Sequence, residues 1–345
     1  MAETTPALPA ELARILAEAG VAGTPEDVDA CARAWAHSPY LRALMRREDE
    51  VLLRYLAEGP EPLMETALAL LAGPADGAAL REAKRIAAIA IALADISGRW
   101  PLEKVTAALS DLADRAIDCA IRIAVDERIP GAGPDGFTAI ALGKLGSREL
   151  NYSSDVDLIL LYDRDRLAVR EGDDPDNIAV RIARRMVELM QTRDSGGYVF
   201  RVDLRLRPAS EVTPIAMPIR GAETYYQSEA LAWERAAFIR ARAVGGDVKM
   251  GKDFLAAIEP FVWRRSLDYT AVRDIQDMSL MIRDHYDERQ EVGPGYCLKR
   301  GRGGIREVEF FAQIHQLIFG GRDWTLRQPA TLDALAALVA AERIK

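Results

Sequence analysis

The sequence predicts a predominantly helical α+β fold in which a small mixed sheet lies between two helical regions. Three observations lead to this expectation. The first 127 residues show only helical periodicity, short apolar runs typical of buried strands are confined to about residues 137–216, and helical patterning returns from Ala222 onward. We therefore expect an N-terminal helical region at 1–130, a sheet-containing core at 131–220 and a second helical region at 221–345.

The N-terminal region carries the start signals of successive helices. Thr24 and Ser38 are each followed by proline, which is the pattern of an N-cap residue with proline in the first helical turn. Two longer helices are expected at Gly77–Ile96 and Leu102–Asp126, because both are rich in alanine, leucine and isoleucine and lack proline. No strand is expected before the turn-forming run Ile129–Pro134, which marks the boundary of the core.

Three strands and one helix are expected in the core. Phe137–Leu142 and Val156–Tyr162 are short apolar runs, and Tyr198–Leu204 is a third segment with strand character. Between the second and third strands, Asn177–Gln191 has the apolar periodicity of a helix. The core should therefore follow the order strand, strand, helix, strand.

The C-terminal region is expected to be helical, with the Gly245-Gly246 pair as a break and glycine-rich loops between helices. The expected helices after that break are Lys252–Ile258, Asp268–Arg289, Arg306–Phe319 and Thr331–Arg343. The last helix reaches the chain end without a capping glycine, from which we expect the chain to be cut from a longer protein.

Composition and charge exclude several classes of protein. The 345 residues are 49% hydrophobic and 28% charged, as in an ordinary globular protein, and carry a net charge of −8. This acidic balance disfavours a nucleic-acid or anionic-lipid partner, and no apolar run of about 18 residues predicts a membrane span. Cys31, Cys119 and Cys297 are scattered and no secretory signal is present, so we expect a cytoplasmic protein without disulfides.

A pair of carboxylates, Asp155 and Asp157, lies where the second strand is expected to begin. The two-residue period of a strand directs both side chains to the same face. Asp203 of the third expected strand can join them if the two strands are neighbours, and three carboxylates suit one or two Mg²⁺ or Mn²⁺ ions acting on a phosphate group. The alternative is a set of solvated carboxylates at a strand end.

A glycine-containing turn, Gly143–Arg148, directly follows the first expected strand. Its glycines permit close approach of the backbone to a phosphate group, and its amides together with Lys144 supply positive charge. An ordinary strand-to-helix turn is the alternative. Its occurrence just upstream of the Asp-x-Asp pair favours a phosphate site.

Basic residues form three further groups. Strand alternation places four charged residues on one face, where they fit either a phosphate-rich substrate or a solvated surface: Arg201, Asp203, Arg205 and Arg207. A second group, which we interpret as helical charges facing water, consists of Arg235, Arg240 and Arg242. The third is the glycine-rich loop Lys299–Arg306, which suits either an anion site or a plain basic turn.

The stretch Ala141–Ile159 closely resembles the nucleotidyltransferase signature of the bifunctional glutamine synthetase adenylyltransferase/adenylyl-removing enzymes. The segments Arg201–Pro208, Trp233–Arg242 and Gly303–Phe310 resemble further motifs of that family, and the resemblance extends over about residues 84–328. Ser147 stands where a second glycine is common in the family. The resemblance implies a nucleotidyltransferase (polymerase-beta-like) mixed sheet flanked by helical regions.

The resemblance also implies a reaction. The family carries two related nucleotidyltransferase domains, of which the first removes AMP from a tyrosine of glutamine synthetase and the second attaches it. The single copy here, with Glu149–Asp155 in the form ELNYSSD after a long helical region, resembles the first, adenylyl-removing copy. The implied reaction is phosphorolysis, with phosphate consumed and ADP released. Adenylylation using ATP, or a noncatalytic module that senses the PII signalling protein, are the alternatives.

Site residues and partners follow from the same resemblance. Asp155, Asp157 and Asp203 would be the catalytic ligands of Mg²⁺ or Mn²⁺. The nucleotide and phosphate would be bound by Gly143, Lys144, Gly146, Ser147, Ser154, Arg205 and Arg207. The implied protein partners are AMP-modified glutamine synthetase and the uridylylated form of PII.

Overall fold

Seven helices form the N-terminal part of the computed structural model, which describes residues 8–20, 23–73, 75–265, 293–299 and 301–345. They are α1 (Ala10–Ala19), α2 (Pro25–His37), α3 (Pro39–Arg47), α4 (Asp49–Glu58), α5 (Pro60–Ala72), α6 (Gly77–Ile96) and α7 (Leu102–Asp126). The two long helices have the predicted bounds. Thr24 and Ser38 act as N-caps, their side chains accepting hydrogen bonds from the backbone N–H groups of Asp27 and Leu41.

Five strands form the sheet found in the described ranges. They are β1 (Phe137–Ala141), β2 (Val156–Tyr162), β3 (Val202–Asp203), β4 (Ala216–Pro218) and β5 (Arg242–Gly246). The order is β3-β2-β1-β5, with β4 also beside β2. Since β1 pairs antiparallel with β2 and β5, while β2 pairs parallel with β3 and β4, the sheet is mixed, as the sequence predicts.

Helices cover both faces of the sheet. The side chains of β2 alternate between the two faces, with Leu158 and Leu160 in the core that continues into the N-terminal helices, and Ile159 and Leu161 in a second core. The first face is covered by α7 and by α9 (Pro175–Gln191), and the second by α10 (Ile219–Ser228), α11 (Ala232–Phe238) and α12 (Val248–Val262). The short helix α8 (Gly143–Gly146) connects β1 to the loop 147–155, which we call the signature loop.

Two expectations about strands are wrong. The third expected strand shortens to Val202–Asp203, because the backbone N–H groups of Val199 and Phe200 both donate to the carbonyl of Met190 at the end of α9. Strands are not confined to about residues 137–216, because β5 pairs with β1. Its Gly246 has φ +71°, and a Cβ there would lie 2.1 Å from the Phe137 carbonyl oxygen, so glycine permits this pairing rather than breaking it.

The C-terminal part contains α13 (Ile305–Phe319), a 3-10 turn at Trp324–Leu326 and α14 (Thr331–Ala340). The expected helix at Asp268–Arg289 lies outside the described residues. No helix within the described ranges is both long and apolar enough to cross a membrane. The three-region division at residues 130 and 220 stays a prediction, although the sheet itself includes β5.

Candidate functional site

Two of the expected carboxylates are neighbours in the sheet. Asp157 is the second residue of β2, and its partner in the parallel register with β3 is Asp203. Asp155 lies directly before β2. The pairing of β2 with β3 therefore meets the condition under which the three side chains can act on one ligand.

Asp157 is half-buried and lies within the electrostatic influence of the other two carboxylates. Burial raises the pKa of Asp157 to about 6, and the negative charges of Asp203 and Asp155 add to the increase. The positive charges of Arg205 and Lys299 act in the opposite direction. The site therefore favours a positive ligand that offsets its clustered negative charge.

An arginine engages each of the outer carboxylates. Arg201 donates from Nε to Oδ1 of Asp155 at 2.5 Å. Arg205 donates from Nε to Oδ2 of Asp203 at 2.9 Å, and these side-chain hydrogen bonds lower the pKa of Asp203. In this arrangement, no group of three or more His, Cys, Asp or Glu side chains among the described residues could hold a metal ion. A cation held by all three carboxylates therefore requires these side chains to rearrange.

Gly143 lies directly against the central carboxylate. It has φ +56°, a conformation that L side chains rarely adopt, and an added Cβ would lie 2.8 Å from Oδ2 of Asp157. The preceding residue also contacts β2, because the backbone N–H of Leu142 donates to the carbonyl of Asp157 at 2.9 Å. Both the turn and the carboxylate therefore depend on the absence of a side chain at residue 143.

The rest of the turn is held in place by its own contacts. A Cβ on Gly146 would lie 1.6 Å from the Arg240 carbonyl oxygen, so the turn packs against the backbone just before β5. Ser147 is buried, and its hydroxyl lies 3.3 Å from the carbonyl oxygens of both Gly143 and Lys144. Of the residues expected to bind phosphate, Gly146 and Ser147 thus stabilise the turn, while Gly143 contacts the carboxylate.

The prediction that strand alternation places Arg201, Arg205 and Arg207 on one face is wrong. The strand ends at Asp203, and the chain then turns, so the three arginines have different partners. Arg205 has a side chain that is 84% exposed despite its contact with Asp203. Arg207 instead donates to loop carbonyls, including those of Leu204 and Ser210 at 2.8 and 2.7 Å. Arg205 faces the site, whereas Arg207 stabilises the loop that follows it.

The signature loop is held by N-terminal helices, which sequence reasoning did not anticipate. Tyr152 donates from its hydroxyl to Oδ2 of Asp95 on α6 at 2.9 Å, and Arg148 donates to Asp111 on α7 at 2.7 Å. Arg148 and Ser153 both have positive φ values, of 62° and 54°. No local pattern identifies these contacts, because each joins residues more than thirty positions apart in the chain.

The second basic group does not face water, so its interpretation as a solvated helix face is wrong. Arg240 is 5% exposed and pairs with Glu309 of α13 at 3.0 Å. Arg242 pairs with Asp114 of α7 at 2.5 Å and donates to the Leu145 carbonyl at 2.9 Å. Arg240 and Arg242 lie just before β5 and at its start, and they connect the sheet to helices on either side. Arg235 of α11 is buried as well.

Ser154 and Lys144 are the remaining residues that the sequence analysis expects to bind the nucleotide and phosphate. Both are half-buried, and Ser154 lies directly before Asp155 with its backbone N–H donating to the Asn151 carbonyl at 3.2 Å. In the third basic group, Lys299 lies near enough to Asp157 for its positive charge to oppose part of the increase in the pKa of that carboxyl group.

Comparison with known proteins gives two matches to family models. The model for glutamate-ammonia ligase adenylyltransferase matches residues 28–257, and the model for GlnD PII-uridylyltransferase matches residues 276–345.

Curated relatives carry the name bifunctional glutamine synthetase adenylyltransferase/adenylyl-removing enzyme. The protein from Caulobacter vibrioides is 43% identical, in an alignment that covers 91% of this chain and 34% of the relative. The one from Rhodopseudomonas palustris strain CGA009 is 43% identical, in an alignment that covers 88% of this chain and 32% of the relative. The one from Bradyrhizobium sp. strain BTAi1 is 39% identical, in an alignment that covers 100% of this chain and 36% of the relative. The chain thus spans about a third of the length of these relatives.

Proposed function

The chain belongs to the glutamate-ammonia ligase adenylyltransferase family, and we propose that it removes AMP from adenylylated glutamine synthetase by phosphorolysis. The observation that carries this proposal is the contact of Gly143 with Asp157, beside Asp203 and Asp155. A bare backbone next to clustered carboxylates leaves room for a phosphate group and a cation. The ELNYSSD form of the signature supports the adenylyl-removing direction.

We propose Asp155, Asp157 and Asp203 as the ligands of Mg²⁺, with Mn²⁺ as a substitute. Their donors are all carboxylate oxygens, which hard divalent cations prefer. Burial, together with the negative charges of Asp203 and Asp155, raises the pKa of Asp157, and a bound cation would offset that charge. When bound, the cation supplies charge neutralisation for the phosphates and for the departing tyrosine oxygen.

The remaining residues act on the nucleotide and the phosphate. Gly143 keeps the space beside Asp157 open, and Lys144 and Ser154 line the approach to the AMP phosphate in this proposal. Arg205, whose side chain is largely exposed, orients the incoming phosphate. Arg207 contributes by holding the loop that carries Arg205.

The proposed step needs no protein general base. An oxygen of monohydrogen phosphate attacks the AMP phosphorus and forms the new P–O bond of ADP, while the bond from that phosphorus to the tyrosine oxygen breaks. The proton of monohydrogen phosphate ends on the tyrosine oxygen, so the unmodified hydroxyl is restored and the charges balance. The chain's residues position the reactants and stabilise charge, which is the usual demand of such transfers.

Adenylylation from ATP is the second candidate, because the matching family model describes an adenylyltransferase. It uses the same carboxylates, with the tyrosine hydroxyl as nucleophile and pyrophosphate as leaving group. The match of residues 276–345 to a PII-uridylyltransferase model supports the uridylylated PII protein as a regulatory partner. A noncatalytic PII-sensing role would leave the clustered carboxylates without a purpose. All of these reactants are compatible with the cytoplasmic location expected from the sequence.

The discriminating experiment is product analysis by chromatography. The purified chain is incubated with AMP-modified glutamine synthetase and Mg²⁺, with and without phosphate, and with and without uridylylated PII. We expect ADP only when phosphate is present, and none from the Asp157→Asn variant. Free AMP in the absence of phosphate would indicate hydrolysis instead. Efficient labelling of unmodified glutamine synthetase from ATP would indicate the second candidate.

A further inference from the structure

Thr331 lies at a junction between the C-terminal helices and the site. It is the first residue of α14, and its backbone N–H donates to both carboxylate oxygens of Glu149, at 3.2 and 3.3 Å. Its hydroxyl oxygen accepts a hydrogen bond from Nη2 of Arg240 at 2.6 Å. Arg240 also donates from Nη1 to Glu309 of α13 at 3.0 Å. One residue of α14 thus contacts two residues of the nucleotidyltransferase part.

Both of those residues are attached to the glycine turn, which we define as Gly143–Ser147. The backbone N–H of Glu149 donates to the carbonyl of Lys144 at 2.8 Å. The carbonyl oxygen of Arg240 lies so close to Gly146 that a Cβ there would approach it to 1.6 Å. A movement of Thr331 is therefore transmitted to the turn along two routes, one through Glu149 and one through Arg240.

The junction contains a buried charge, Arg240, between the half-buried Glu149 and Thr331, which makes its contacts sensitive to a lost partner. Arg240 is 5% exposed, so removing an acceptor leaves a buried guanidinium N–H group unsatisfied. Glu149 places its carboxylate at the first N–H of α14, where the helix dipole also favours a negative charge. The junction joins the two parts of the chain that match different family models.

We propose that Glu149, Arg240 and Thr331 are positioning residues, which fix the glycine turn in the place that nucleotide binding requires and thereby make nucleotide affinity depend on α14. This rests on the proposed function, since it takes the turn to be the site of the nucleotide phosphate. The junction contacts the turn at Lys144 and Gly146, whereas the contact with the carboxylate Asp157 is made by Gly143 at the other end of the turn. The affinity for nucleotide, rather than the affinity for Mg²⁺, should therefore change when the junction is altered.

The test compares Thr331→Val with Thr331→Ser in the full chain. Valine removes the oxygen that accepts from Arg240, and serine restores it. A matched control is Glu259→Ala, which removes the ion pair of Glu259 with Arg327 between α12 and the segment before α14, away from the turn. Binding of ADP is measured by calorimetry at saturating Mg²⁺, and the KM for phosphate, the kcat and the Mg²⁺ dependence are measured in the reaction that releases ADP.

We expect Thr331→Val to weaken ADP binding by about tenfold, the effect of losing one hydrogen bond to a charged group. Thr331→Ser and Glu259→Ala should stay close to wild type, and the Mg²⁺ concentration for half-maximal rate should not change. Equal effects of Thr331→Val and Glu259→Ala, or a shifted Mg²⁺ dependence, would overturn the proposal. If Thr331→Val does not fold, Glu149→Ala replaces it with the same expectation. A wild-type chain that neither binds ADP nor forms it would instead overturn the proposed function.

Discussion

Gly143→Ala should lower the rate of the reaction by about a hundredfold while leaving the chain folded. Alanine at this position meets two penalties. The first is its backbone conformation, since φ is +56° and an L residue in the left-handed region costs about 1–2 kcal/mol. The second is contact, because the new Cβ would lie 2.8 Å from Oδ2 of Asp157 and must displace that carboxylate.

Gly172→Ala is the matched control for the backbone penalty. Gly172 has φ +85° and is exposed, and an added Cβ there would meet no atom within 4 Å. The backbone penalty should lower the Tm of both variants by a few degrees, and Gly143→Ala should lose somewhat more because of its contact with Asp157. Only Gly143→Ala should displace a residue of the site, and a misplacement of this kind costs roughly a hundredfold in rate.

The assay measures Tm by thermal unfolding and the rate of ADP release at saturating Mg²⁺ and phosphate. We expect Gly172→Ala to retain its rate and Gly143→Ala to lose about a hundredfold. Similar rates for the two variants would refute the reasoning, because the contact between Gly143 and Asp157 would then have no role in the reaction. A Gly143→Ala variant that unfolds at room temperature would contradict the small stability cost worked out above.

Two further predictions concern charge. Asp155→Asn and Asp157→Asn should each fold and lose the activity that depends on Mg²⁺, and wild-type turnover of either variant at limiting Mg²⁺ would exclude these residues as ligands. Without metal, the Tm of Asp157→Asn should equal or exceed that of wild type. The reason is that burial and like charges raise the pKa of Asp157 to about 6 and thus destabilise its ionised form at neutral pH. The buried Asp27 should contribute stability that is lost on acidification: burial alone would raise its pKa, but hydrogen bonds from Arg99, Thr24 and Tyr55 outweigh that effect and lower it. Its contribution is complete above the ordinary aspartate pKa of about 3.9 and disappears as the pH falls through the lower folded value, so the difference in unfolding free energy between wild type and Asp27→Asn should shrink in that acidic range. A difference independent of pH would contradict this assignment.

The elements that the sequence predicts correctly are those with local signals. Gly77–Ile96 and Leu102–Asp126 have the predicted bounds because apolar periodicity, an absence of proline and flanking turns act within the segment itself. Val156–Tyr162 is equally clear, as a short apolar run beside an acidic pair. β5 is missed because its two glycines resemble a break between helices. Only in the folded chain does the backbone of Phe137 lie so close to Gly246 that a side chain there would clash.

The candidate site is predictable in its residue types but not in its pairing. Asp157 and Asp203 are expected to meet only if their strands are neighbours, and that depends on tertiary structure. The partners of the arginines depend on it too: Arg207 follows a turn rather than a strand, and Arg240 reaches Glu309 across the chain. Charged residues carry no periodic signal that identifies their partners, so such contacts emerge only from the fold.

The most direct test of the proposed function follows the fate of the phosphate. The purified chain is given AMP-modified glutamine synthetase, Mg²⁺, uridylylated PII and radiolabelled inorganic phosphate, and the nucleotides are separated. Phosphorolysis predicts that the label appears in the terminal phosphate of ADP, in an amount equal to the tyrosine groups restored, and that Asp157→Asn forms none. Restored tyrosine with unlabelled AMP as the product, or no restored tyrosine at all, would contradict the account.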